Sequence, residues 1–144
     1  VQFLFNANFG VEQGEISKVA SGGELSRLML AIKSLINKQQ MLPTVIFDEI
    51  DSGVSGDIAA KVGLIMKKMA EKHQVIAISH LPQIASKANH HYKVYKLTSD
   101  NSTSTALSLL SEEGRVEELA SMLSSKKITE NALTVARELM SDNY

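Results

Sequence analysis

Residues 44–49 read Thr-Val-Ile-Phe-Asp-Glu, a β-branched and apolar run that stops at two acids. A second apolar run, Val-Ile-Ala-Ile at residues 75–78, stops at Ser79 and His80. Continuous apolarity over four residues predicts strands buried on both faces, as in a parallel sheet. Because ligands bind beyond the carboxyl ends of such strands, we expect Asp48-Glu49 and Ser79-His80 to meet in one crevice. The pattern predicts an α/β fold with its chemistry at that sheet edge.

Apolar residues recur at helical spacing both before the first strand and between the two strands. Residues 21–24 read Ser-Gly-Gly-Glu, a capping box, which predicts that a helix begins there and ends before Pro43. A second helical stripe lies between the strands and predicts a right-handed strand–helix–strand unit. The apolar positions are Leu25, Leu28, Met29, Ile32, Leu35 and Ile36 in the first helix, with Arg27, Lys33 and Lys38 facing water, and Ile58, Val62, Ile65, Met66 and Met69 in the second.

The remaining sequence predicts short elements. We expect a strand over 1–5, a loop over 6–14, a short helix after Pro82, strands near 92–97 and 105–110 joined by a polar turn at 98–102, a helix over 116–123 and a last helix capped by Thr129. His90 and His91 are expected in a surface turn rather than as metal ligands. The lysines at 61, 67, 68 and 72 form a face for which solvation is favoured over DNA binding.

The bulk properties narrow the class of protein. With 144 residues and a formal net charge of -1, the chain has the size of one domain and no basic surplus that would indicate nucleic acid. It has no cysteine and no apolar run near the roughly 20 residues that span a bilayer, so we expect a cytoplasmic protein without a membrane partner. It begins at Val1 without a targeting pattern, which leads us to expect a piece of a longer protein.

Four motifs occur in a fixed order: residues 21–27 (Ser-Gly-Gly-Glu-Leu-Ser-Arg), 44–49, 50–56 (Ile-Asp-Ser-Gly-Val-Ser-Gly) and 78–80 (Ile-Ser-His). Taken singly, they could be a helix cap, a solvated turn, a Gly-rich turn and an ordinary strand-end histidine. In this order and approximate spacing they resemble the signature, Walker B, D-loop and switch histidine of ABC-type ATPases. The coincidence of all four favours the resemblance over accident.

The resemblance implies a role for each motif. Small residues at Gly22 and Gly23 let backbone amides and the helix N-terminus approach a γ-phosphate closely. Asp48 would hold Mg²⁺ through water, and Glu49 would orient or deprotonate the attacking water. The switch histidine His80 would contact the γ-phosphate. The signature residues Ser21, Gly22, Gly23 and Glu24 would bind ATP that the opposite protomer holds. The D-loop residues Asp51, Ser52 and Gly53 would lie at the dimer interface.

The phosphate loop Gly-x-x-x-x-Gly-Lys-Ser/Thr does not occur in the sequence. Its amides and lysine supply most of the grip on a triphosphate. The expected fold is therefore the C-terminal part of an ABC-type ATPase head, a mainly parallel sheet flanked by helices, in which a P-loop NTPase fold lacks its N-terminal phosphate-loop segment. Residues 1–144 would form this C-terminal lobe, inactive alone and completed by the N-terminal segment of the same parent chain.

Residues 18–27, 48–56 and 79–85, with the tail segments 115–120, 128–130 and 136–140, resemble the RecN family. Segment 6–16 departs from that family's pattern. The resemblance implies an SMC-like ATPase that sandwiches ATP between two heads of a homodimer, contacts DNA through the full-length protein and acts in double-strand break repair and recombination in the bacterial nucleoid. Two alternatives stay open: the nucleotide-binding domain of an ABC transporter, and an SMC-like DNA clamp that does not hydrolyse ATP.

Overall fold

A computed structural model describes residues 3–6, 10, 12–36, 43–48, 50–99, 102–124 and 127–141. The chain divides into two compact units, Val1–Ser79 and His80–Tyr144. The assignment of residues 1–144 to one lobe of an ATPase head stays a prediction.

The first unit is a mixture of short strands and helices. Its elements are β1 (Leu4–Phe5), β2 (Gly14–Glu15), α1 (Ile16–Val19), α2 (Gly22–Ile36), β3 (Thr44–Phe47), α3 (Gly56–Ala70) and β4 (Gln74–Ala77). The strand predicted over 1–5 is confirmed at β1, while its first two residues lie outside the described ones. The sequence did not predict β2, which pairs antiparallel with β1, or α1, because each is too short to show a period.

β3 and β4 form a parallel pair in which Val45 lies opposite Val75 and Phe47 opposite Ala77. The amide of Ile78 donates to the Phe47 carbonyl at 2.9 Å and extends this ladder by one residue. Since α3 connects the two strands, the predicted strand–helix–strand unit is confirmed. Both strands therefore end at the same edge, where Asp48 and Ser79 follow them.

The expectation that these strands are buried on both faces was wrong. Val45 and Phe47 are buried at 3% and 6% exposure, whereas Ile46 is 61% exposed. Successive side chains of a strand point to opposite faces, and only the face of Val45 and Phe47 is packed in the first unit. Its buried apolar side chains also include Leu30, Ile50, Ala59, Val62, Met66 and Met69.

The apolar stripe of α2 is also more exposed than predicted. Leu30, which lay outside the predicted stripe, is buried at 2%, whereas Leu25, Met29 and Leu35 are 45%, 42% and 70% exposed. A helical period indicates which residues avoid water without indicating what covers them. The helix is described as far as Ile36, and its predicted continuation toward Pro43 lies outside the described residues.

Two cations of α2 do not simply face water as predicted. Arg27 donates from Nη1 to the Ser52 carbonyl at 3.2 Å. The Lys33 ammonium lies 5.4 Å from the centroid of the Phe47 ring, within the range of a cation–π interaction. Long stems allow both side chains to bend back over neighbouring elements. Lys38 lies outside the described residues.

The second unit contains α4 (Pro82–Ala85), β5 (Tyr92–Ser99), β6 (Ser102–Leu109), α5 (Glu112–Leu123) and α6 (Glu130–Ser141). The predicted short helix, strand pair and two final helices are confirmed, although both strands of the antiparallel hairpin extend into the predicted turn. Ser111 and Thr129 cap the last two helices, since their hydroxyls accept from the amides of Gly114 and Ala132 at 3.1 and 3.2 Å. A core of Leu119, Ala120 and Ala136 joins α5 to α6.

His90 and His91 differ in their surroundings. His90 is exposed, as predicted, but His91 is half-buried at the start of β5, so the surface-turn prediction was wrong for His91. The His91 carbonyl accepts from the Leu110 amide at 2.9 Å, which draws the residue into the hairpin ladder. Among the described residues, no group of three or more histidines and acids is placed to hold a metal ion.

Candidate functional site

The start of α2 is held by a reciprocal pair of side chains. The Ser21 amide and hydroxyl each donate to Oε2 of Glu24 at 2.8 Å, and the Glu24 amide donates to the Ser21 hydroxyl at 3.3 Å. The predicted capping box is therefore confirmed. The Ser21 amide, followed by the Ser21 hydroxyl, lowers the pKa of Glu24 below its ordinary value. Ser21 and Glu24, both predicted to bind nucleotide, bind each other here.

The two glycines of this turn have different surroundings. A Cβ added to Gly22 would meet nothing within 4 Å. A Cβ added to Gly23 would lie 2.8 Å from the Ser52 carbonyl carbon and would overlap its oxygen. The segment after β3 therefore packs directly on the first turn of α2. The sequence predicted small residues for phosphate approach and missed this second requirement for glycine.

The segment after β3 is held from two sides. Asp51, 4% exposed, accepts from the Ser79 hydroxyl at 2.6 Å, and its carbonyl accepts from the Val54 amide at 3.1 Å. Ser52 and Gly53 are exposed, and Gly53 has a φ of 70°, which favours glycine. The predicted D-loop thus combines one buried acid with an exposed tip. The bond from Ser79 to Asp51 was not predicted, because a hydroxyl beside a histidine carries no sequence signal for a partner 28 positions away.

Asp48 follows β3 and is exposed. An open and mostly apolar cavity of about 230 Å³ lies between α2 and β3; Asp48, Lys33 and Ser26 are its polar lining residues, and the others are Leu25, Met29, Ile46, Phe47 and Ile50. Asp48 is thus one exposed carboxylate at the border of this mostly apolar cavity. Mg²⁺ commonly uses one or two carboxylates and keeps waters or substrate phosphates as its other ligands, so a single aspartate fits a magnesium–nucleotide site.

Of the two predicted catalytic residues, Glu49 and His80, the structure describes only His80. Glu49 lies outside the described residues, and His80 is the exposed first residue of the second unit. The structure brings together Gly23, Ser52 and, through Asp51, Ser79. The expected meeting of Asp48, Glu49 and His80 in one crevice stays a prediction.

The described helices include none that is long and apolar enough to cross a membrane.

Solved structures with a similar fold are ATPase heads of SMC proteins. A head domain with a coiled coil and joint from Pyrococcus yayanosii matches with a TM-score of 0.58 and 21% identity, over 90% of this chain and 21% of that one. A structure from work on ATP-driven dimerization and DNA-stimulated activation of SMC ATPases matches with a TM-score of 0.55 and 22% identity, over 82% of this chain and 70% of that one. The chain therefore has the fold of part of an SMC-type ATPase head.

Among proteins of known sequence, the chain is similar to DNA repair protein RecN. It is 44% identical to RecN of Haemophilus influenzae over 97% of its length and 25% of that protein. It is 45% identical to RecN of Deinococcus radiodurans over 97% of its length and 24% of that protein. The chain thus spans about a quarter of the length of these relatives. The resemblance to the C-terminal ATPase-head segment of RecN, expected from the sequence, is confirmed. No protein-family model matches.

Proposed function

We propose that this chain forms part of the ATP-hydrolysing head of a RecN-like protein in double-strand break repair and recombination. The observation that carries the proposal is the packing of Gly23, at the start of the signature helix, against Ser52 of the D-loop. Asp48 lines the neighbouring cavity beside α2. The similarity to RecN proteins over 97% of the chain supports the repair role. The location that follows is the bacterial cytoplasm, at the nucleoid.

In this proposal, two heads enclose ATP, and the N-terminus of α2 in one head faces the γ-phosphate held by the other. The positive end of the helix suits an anion. Since the Ser21 amide and hydroxyl already donate to Glu24, phosphate binding at Ser21 requires the Glu24 carboxylate to release them. The Glu24 carboxylate would therefore compete with the phosphate for the Ser21 donors and would keep the first turn of α2 in its present conformation until the second head binds.

Asp48, the exposed carboxylate that follows β3, would hold Mg²⁺ through water. The bound ion would neutralise charge that develops on the phosphate oxygens. Glu49 would accept a proton from the attacking water, and His80 would donate to the γ-phosphate. The D-loop residues Asp51, Ser52 and Gly53 would lie at the interface between the two heads.

The partner needed for this chemistry is the N-terminal segment of the same parent chain, which would supply the phosphate loop. The exposed apolar side chains of α2 and of the outer face of β3, including Leu25, Met29 and Ile46, offer a surface for it. Relatives four times longer have room for such a segment, because this chain covers 25% of one of them. The chain alone is then expected to show no appreciable ATP turnover.

The similarity to RecN favours this function over the nucleotide-binding domain of a transporter. Glu49 distinguishes our proposal from a non-hydrolysing clamp, because only an enzyme that hydrolyses ATP needs a general base at this position.

The test is ATP hydrolysis by this chain mixed with the N-terminal segment of its parent, with and without linear DNA. Glu49→Gln should lower kcat by about 100-fold or more, the usual contribution of a general base, and leave ATP binding nearly unchanged. Glu71→Gln, at the exposed C-cap of α3, is the matched control and should retain the wild-type rate. An assembled head without turnover would favour the clamp, and turnover by this chain alone would contradict the need for a phosphate loop.

A further inference from the structure

We infer that Arg27 is a positioning residue that fastens residues 50–54 to the start of α2. Its effect on turnover rests on the proposed ATPase function, whereas the fastening itself does not.

The Ser52 carbonyl is the meeting point of α2 and this segment. Arg27 donates to that oxygen from Nη1 at 3.2 Å. Gly23, one helical turn earlier, lies so close to the same carbonyl that no Cβ would fit. A charged donor holds a carbonyl more strongly than a neutral one does. Arg27 therefore supplies the attraction at this point, and Gly23 supplies the room for close approach.

The other side of the segment is attached to the strand pair. Asp51 is 4% exposed and accepts from the Ser79 hydroxyl at 2.6 Å. Ser79 follows the last β3–β4 ladder bond, in which Ile78 donates to Phe47. Two successive residues, Asp51 and Ser52, are thus held by different elements. A displacement of α2 would therefore reach Ser79, the residue before His80 in the chain, through Ser52 and Asp51.

This arrangement has a consequence for the order of events in the proposed reaction. When the second head's phosphate binds at the start of α2, Arg27 carries the resulting shift to the segment that follows Glu49. Loss of Arg27 should therefore misplace the groups that act on water while leaving the binding of ATP intact. Small misplacements of this kind lower kcat by about 10-fold to 100-fold.

The experiment uses the full-length parent protein with Arg27→Ala, Arg27→Lys and the control Arg137→Ala, an exposed arginine of α6. The first measurement is amide hydrogen exchange of residues 50–55 without nucleotide. We expect faster exchange in Arg27→Ala, because the Val54 amide bond to Asp51 opens more often when Ser52 is released. Arg27→Lys, which can still donate to a carbonyl, and Arg137→Ala should keep the wild-type protection. Unchanged exchange in Arg27→Ala would overturn the fastening.

The second measurement is steady-state ATP hydrolysis by the same proteins. Arg27→Ala should lower kcat about 10-fold or more with KM within about twofold of wild type, and Arg27→Lys should recover part of the rate. Faster exchange with an unchanged kcat would overturn the positioning role. If wild-type protein shows no turnover that depends on Glu49, the proposed ATPase function fails, and hydrogen exchange still decides whether Arg27 fastens the segment.

Discussion

Adjacent glycines at the start of α2 illustrate how one motif meets two requirements at the scale of single residues. Gly22 and Gly23 belong to the same Ser-Gly-Gly-Glu sequence and were given the same role in phosphate approach. Only Gly23 is also pressed against the Ser52 carbonyl. Stability measurements can separate these requirements, because Gly22 is constrained only if a phosphate binds, whereas Gly23 is constrained in the free protein.

We predict opposite effects of alanine at these two positions. Gly23→Ala should lower the free energy of unfolding by about 1–3 kcal/mol, since the added methyl must push the Ser52 carbonyl away. Gly22→Ala should raise it by about 0.4–1 kcal/mol, because nothing within 4 Å opposes the methyl and alanine restricts the unfolded chain. Urea denaturation of both variants measures the difference. Equal free energies of unfolding for the two would contradict the packing of Gly23 on Ser52.

Much of the candidate site could be predicted because its residues form local patterns. The capping box of Ser21 and Glu24 spans one helical turn, and Asp48 follows an apolar run directly. The contacts of Ser52 with Gly23 and Arg27, and of Asp51 with Ser79, join residues more than 24 positions apart. Such contacts depend on how elements pack, which neither hydrophobic period nor turn chemistry encodes.

At the scale of elements, a cluster of charged side chains joins β5 to α5 in the second unit. Arg115 of α5 is 7% exposed and donates to the Ala88 carbonyl at 2.6 Å. Lys93 of β5 pairs with Glu118 of α5. His91 is half-buried beside this cluster, and among the described residues its Nδ1 has no hydrogen-bond partner. Burial, followed by the charge of Arg115, lowers the pKa of His91 from its ordinary value of 6.5, although Glu118 acts in the opposite direction.

We predict that the second unit loses stability as the pH falls below about 6.5, the ordinary pKa of histidine. The unfolded chain takes up a proton on His91 there, whereas the folded chain resists it because its pKa is lower. The loss should grow until the pH passes below the folded pKa, and it should be absent above the unfolded one. Thermal denaturation at pH 8 and pH 5.5 of wild type and His91→Gln measures it.

The control for this prediction is His90→Gln, which changes the exposed neighbour. Wild type and His90→Gln should lose the same stability between the two pH values, and His91→Gln should lose less. An equal loss in all three proteins would assign the pH dependence to other groups.

The sequence predicted the positions of the helices and strands better than it predicted which of their side chains are buried. Apolar runs placed β3 and β4, and Thr129 marked the start of α6. The exposure of Leu35 and Ile46 could not be predicted, because the same apolar pattern arises whether a face is covered by its own chain or by another. The pattern therefore predicts which faces are apolar, and the structure shows which of them the described residues of this chain cover.

At the scale of the whole molecule, this difference leads to a prediction about assembly. The exposed apolar stripe of α2 includes Leu35, which is 70% exposed, and a surface of this kind marks an interface. Under our proposal, the N-terminal segment of the parent covers it. Leu35→Glu should therefore weaken association of the two segments about 10-fold or more, since a buried unpaired carboxylate costs more than about 1.4 kcal/mol, while it leaves the fold of this chain nearly unchanged.

The control for this prediction is Ser121→Glu, which makes the same change in charge at an exposed helical position of the second unit. Titration of one segment into the other by calorimetry gives the two dissociation constants, and circular dichroism of the isolated variants checks the fold. Equal affinities of the two variants would show that the stripe of α2 lies outside the joint between segments, and the exposed apolar side chains of the first unit would then need another partner.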